Sequence, residues 1–158
     1  MITKFILYIG ICIVVLFAQI IFVQWLTIED IRPDFILILV ILTGRLQGKV
    51  AGSVSGFLFG LIIDSIGVGS YLGLSALVKT ITGFISGYLK GSKLKMNSYL
   101  FYFFNFLIVT FHFLIFYMIN FLGSDLSPLY VISRYVFPST LYTYMLFVII
   151  DKLLSLEK

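Results

Sequence analysis

The chain holds few groups that could do chemistry, and their spacing argues against most reactions. It has one histidine, His112, which excludes an HExxH metal site. Its one cysteine, Cys12, lies in an apolar run without metal-ligand company and cannot form an intrachain disulfide. It is expected to act as a small buried apolar residue. Neither GxSxG nor GxSG occurs, and Gly52-Ser53-Val54-Ser55-Gly56 has the wrong spacing for a nucleophile turn. Gly67-Val68-Gly69 lacks the rest of a dinucleotide-binding unit. Asp64 borders the glycine-rich run as a candidate acid, and no second carboxylate pairs obviously with it. Lys79, His112 and Arg134 lie inside long apolar stretches, where ionisable groups are costly and usually have a purpose. No cofactor or metal is expected, and the dispersed basic residues argue against nucleic acid.

The segments that must carry these groups are those of a membrane protein. Of 158 residues, 61% are hydrophobic and 11% charged, against about 25% charged in soluble domains. Mean hydropathy is +1.13. A soluble globular domain, a disordered chain and a disulfide-stapled module are all excluded. A crossing needs about 20 residues, so the sequence predicts one polytopic domain over 1–158, an all-α six-helix transmembrane bundle.

The predicted spans are 5–26, 35–43, 50–63, 71–89, 99–122 and 129–150. The first is too long for a signal-peptide core. The second and third are short, and read as two tilted crossings or as a re-entrant hairpin. Pro33 suits the first turn of the second helix. Gly67 and Gly69 break the chain after Asp64, with Ser70 as N-cap of the fourth span. With a cytoplasmic N-terminus, eight of the 11 basic residues fall inside. The inner segments then sum to +6 and the outer loops to −4, as the positive-inside rule requires. That asymmetry favours six crossings, with both termini cytoplasmic.

Gly44, Gly48, Gly52, Gly56 and Gly60 recur every four residues, and Asp64 is the next step. The fourth span carries Gly73, Ala76, Thr80, Gly83, Gly87 and Gly91 at spacings of three and four. Small residues let backbones approach closely where lipid removes the hydrophobic incentive. Spans three and four should pack face to face, and the same stripes are candidates for docking a partner helix. Lys79 lies roughly 12 Å below the outer end of its helix and should face a polar cavity or partner. His112 is about as deep, and reads either as a lone satisfied histidine or as an imidazole that accepts a hydrogen bond from Lys79. Asn105, His112 and Asn120 share one helix face. Pro138 clashes with the Arg134 carbonyl, predicting a kink there, and at the outer level Asp64 and Arg134 read either as a capping aspartate beside a snorkelling arginine or as a contact pair.

Pro33-Asp34 before a short apolar run, the stripe ending in Gly56-Phe57-Leu58-Phe59-Gly60-Leu61-Ile62-Ile63-Asp64, and Leu72-Gly73-Leu74-Ser75-Ala76-Leu77 together resemble the rod shape-determining protein MreD family. The resemblance spans the chain and is strongest from Pro33 to Gly91. It implies a non-enzymatic scaffold of the bacterial inner membrane, acting in cell-wall elongation. The implied partners are a single-pass MreC-type shape protein and, through it, an MreB-type filament and a peptidoglycan polymerase–transpeptidase pair. The family is also similar in fold to the six-helix substrate-binding subunits of energy-coupling-factor vitamin transporters, the alternative function. Against that alternative, the AxxxA pattern of their first helix is absent, since Ala18 is the only alanine in 5–26.

Overall fold

A computed structural model describes residues 2–66 and 71–154, with the backbone alone for 2–7, 9 and 154. The expected turn at Gly67 and Gly69 and the cap at Ser70 lie outside the described residues, as do Glu157 and Lys158. The described residues form six helices and no strand. They are α1 (Ile2–Ile21), α2 (Phe35–Gln47), α3 (Lys49–Ser65), α4 (Leu74–Ser86, extended by a 3-10 turn at Gly87–Leu89), α5 (Ser98–Asn120) and α6. Helix α6 runs through Pro128–Val131, a π-helical stretch Ile132–Val136 and Phe137–Leu154. Ser98–Asn120 and Pro128–Leu153 are long and apolar enough to cross a membrane.

Helix α2 is the axle of the molecule. Every residue from Ile36 to Arg45 is buried. Its sequence is apolar all round, and such a helix suits the centre of a bundle. Leu37, Ile38, Ile41 and Leu42 pack against Ile108, Val109 and Phe113 of α5 and Val136 and Phe147 of α6. Ile36 and Val40 meet Ile63 of α3 on another side.

Helices α3 and α4 pack along the glycine stripes. A Cβ added to Gly52 would collide with the Gly83 carbonyl, one on Gly56 with the Lys79 carbonyl, and one on Gly60 with the Ala76 backbone. In return, a Cβ on Gly83 would strike the Gly52 carbonyl and one on Gly87 the Lys49 backbone. The stripes are therefore consumed inside the chain, leaving no room there for a partner helix. Gly48 and Gly73 depart from the expected packing role. Gly48 is the one-residue break between α2 and α3, at φ +106°, and Gly73 precedes α4 at φ +91°, where an added Cβ would meet nothing within 4 Å among the described residues. Both positions need the left-handed backbone that glycine adopts freely.

Two local expectations change in detail. Pro33 lies before α2 rather than in its first turn, because Asp34 is the N-cap and accepts from the Leu37 N–H at 2.7 Å. The clash expected at Pro138 is met by a π-helical stretch directly ahead of it. There Phe137 N–H donates to the Ile132 carbonyl, a wider turn that absorbs the missing proline N–H.

Candidate functional site

The α2 N-terminus is tied to three other helices, and this places Asp34. The Phe35 N–H donates to Gln19 Oε1 of α1 at 2.8 Å, and the Asp34 N–H donates to Thr143 Oγ1 of α6 at 3.2 Å. With Asp34 Oδ1 on the Leu37 N–H, several of the donors that a helix start leaves unpaired are satisfied. The other carboxylate oxygen, Asp34 Oδ2, receives the Lys79 ammonium of α4 at 2.5 Å and lies 3.9 Å from His112 Nε2 of α5. Lys79 is 3% exposed and His112 1%. Burial alone would raise the Asp34 carboxyl, but the Lys79 charge beside it and the Leu37 amide hold it below the usual carboxylate range.

Lys79 and His112 are thus brought together as their depths suggested, but through Asp34 rather than by a direct bond. The Thr82 hydroxyl donates to the Val78 carbonyl at 2.8 Å and lies 3.0 Å from His112 Nδ1. Its single hydrogen is spent on Val78, so a neutral imidazole carries its proton on Nδ1. Nε2 is then left with a lone pair. In the sequence Asp34 stands only as the acid of the Pro33-Asp34 pair before a short apolar run, with no partner assigned. The carboxylate directly after Pro33 was the available signal.

These groups floor a cavity of about 360 Å³. Aromatic rings of α5 and α6, including Phe116, Tyr117 and Tyr135, form its wall, and Asp30 and Arg32 stand at its rim. The rim loop is bent by a tight turn in which Ile28 and Ile31 exchange backbone hydrogen bonds. The two residues between them, Glu29 and Asp30, have φ of +47° and +68°. Such a turn normally draws Asn and Gly, so the loop is held against its preference. Arg134, at the π-helical stretch, grips it, with Nη2 3.1 Å from the Glu29 carboxylate and 3.4 Å from the Glu29 carbonyl.

Of the two readings of Asp64 and Arg134, the direct contact is not formed and the capping aspartate is. Asp64 instead caps α4 from the end of α3, accepting from Gly73, Ser75 and Ala76 N–H at 2.9, 3.3 and 3.2 Å. A buried carboxylate over a helix N-terminus needs no cation to stabilise it. Glu29 and Arg134 are both solvent-accessible, and such pairs contribute about 0.2–1 kcal/mol. Arg134→Ala should therefore shift unfolding stability by no more than about 1 kcal/mol; a loss of several kcal/mol would show that Arg134 holds more than the loop.

A second ionic cluster ties the opposite end of α2, and local patterns did not reveal it. Arg45 and Asp151 lie just outside the predicted spans 35–43 and 129–150, yet both are fully buried and lie 3.0 Å apart. Asp151 also receives Lys93 at 2.8 Å and the Tyr102 hydroxyl at 3.0 Å. The Arg45 guanidinium stacks over the Phe101 ring at 4.4 Å. This cluster joins α2, the 90–97 loop, α5 and α6. It is a tie rather than an open site.

Of the face shared by Asn105, His112 and Asn120, only the last two border the cavity. Asn105 is buried elsewhere in α5 and donates to the Phe101 carbonyl at 2.8 Å. Compared with family models, with curated proteins and with solved structures, the chain matches none.

Proposed function

We propose that this chain is a non-catalytic scaffold of the bacterial inner membrane that docks an MreC-type shape protein and links it to peptidoglycan synthesis. The observation that carries the reading is the behaviour of the Pro33–Gly91 region, where the MreD resemblance is strongest. It folds around a buried α2, with its small residues closed on each other. The surfaces left for partner helices are apolar, such as Tyr99, Phe103 and Leu107 of α5 and Phe137, Met145 and Ile149 of α6. Within the helices Arg45, Asp64, Lys79, His112 and Asp151 are buried while many large apolar side chains are exposed, a distribution that suits lipid surroundings. On this reading the chain crosses six times with both termini cytoplasmic. Helix α2 is short, about 20 Å, because it is surrounded by protein instead of lipid.

A vitamin-binding transporter subunit is the second reading, and the cavity around Lys79 and His112 favours it. The two separate in an affinity pull-down of the tagged full chain from native membranes. A single-pass shape protein and wall-synthesis enzymes should co-purify. Transporter ATPases in their place would overturn the scaffold.

A further inference from the structure

The cavity between α1, the 30–34 loop, α3, α4, α5 and α6 has hydrogen-bonding needs that the described residues leave unmet. Lys79 carries three N–H donors and spends one on Asp34, its one hydrogen-bond partner among the described residues. Arg32, at the rim, makes no hydrogen bond or ion pair among them. These are donors in search of an anion. On the acceptor side, Asn120 Oδ1 is buried without a partner, His112 Nε2 keeps a lone pair, and the Asp30 carboxylate stands unpaired at the rim. The charged lining residues are two acids, Asp30 and Asp34, and two bases, Arg32 and Lys79, so the cavity is neutral as a whole. A multiply charged ion of either sign would leave one pair of rim charges opposed. The wall beside them is aromatic. A volume of about 360 Å³ lies at the small end of the range for ligand pockets, about 300–1,000 Å³.

We propose that this cavity binds a zwitterion: an oxyanion seated on Lys79 and Arg32, an ammonium group on Asn120 Oδ1, His112 Nε2 and Asp30, and an apolar body against Phe116, Tyr117 and Tyr135. Two sources carry this chemistry, a free α-amino acid and the ethanolamine-phosphate headgroup of a zwitterionic lipid. The strained Glu29-Asp30 turn, clasped by Arg134, holds the rim over the site, as backbone strain at ligand clamps does. Binding here does not depend on partner docking, so this site and the scaffold reading stand or fall separately.

The test uses the purified full chain in nanodiscs and reads its thermal midpoint. One arm adds each common α-amino acid in turn to phosphatidylglycerol nanodiscs, beside analogues that lack the amine or the carboxylate. The other arm replaces phosphatidylglycerol with phosphatidylethanolamine and adds no solute. A rise of about 5 °C or more at saturation is expected in one arm, and the arm that responds identifies the source. The rise should be lost in Arg32→Gln and Asp30→Asn, whose exposed side chains make no hydrogen bond or ion pair among the described residues; the ligand-free midpoint of Arg32→Gln should match the parent, and that of Asp30→Asn should match or slightly exceed it, since asparagine suits a positive-φ turn. No rise in either arm would overturn the proposal. So would equal rises with the singly charged analogues, or rises that survive both substitutions.

Discussion

Gly56→Leu is expected to yield no folded, monodisperse protein. A Cβ at this position already overlaps the Lys79 carbonyl and the following Thr80 nitrogen. Backbone cannot rotate aside as a side chain can, so α3 and α4 would have to separate along their whole contact. Overpacking a core commonly costs about 1–3 kcal/mol, and Gly56→Ala should cost at least that much. Leucine adds three more carbons in the same place. Gly10→Ala is the control, since nothing lies within 4 Å of its added Cβ. In the body of α1 that change should be neutral or stabilising by roughly 0.5–1 kcal/mol. A Gly56→Ala protein that melts with the parent would refute close α3–α4 packing.

Lys79→Met should be nearly as damaging, for an electrostatic reason. It leaves the Asp34 carboxylate in a buried setting without its cation, and breaking one side of such a pair costs about 3–5 kcal/mol. Asp34→Asn on its own should cost less, because an asparagine oxygen can still accept from the Leu37 N–H and keep α2 capped. The double variant Asp34→Asn, Lys79→Met removes both charges together. It should be more stable than Lys79→Met alone, with a coupling of about 2 kcal/mol or more in a double-mutant cycle. Additive losses would mean that Lys79 and Asp34 act separately. Reversible unfolding of the four proteins in one detergent measures this directly.

Much of the helical plan was legible in the chain. Apolar runs marked six helices because helix length and polar interruptions are local properties. The four-residue glycine spacing foretold the α3–α4 contact, since one face of a helix is set by its own periodicity. The depth of Lys79 and His112 in their helices suggested that they would approach one another, and the cavity between them followed from the cost of burying an ammonium group.

What the sequence alone could not supply was partnership between distant residues. Asp34 lies 45 residues from Lys79, and Arg45 lies 106 residues from Asp151. No periodicity links such positions. Asp34, Arg45 and Asp151 fall outside the predicted spans, and only the central position of α2, buried from Ile36 to Arg45, draws them into the bundle. Asp64 and Arg134 illustrate the same limit, for similar depth made them look like partners. Each found a nearer one instead, because a helix N-terminus and a bent loop presented complementary groups at shorter range. The chain's local chemistry thus determined which segments are helical and which faces are small. The burial of α2 decided which charges meet, because ion pairing depends on distance in space, and that is settled only when the helices close around a common axis.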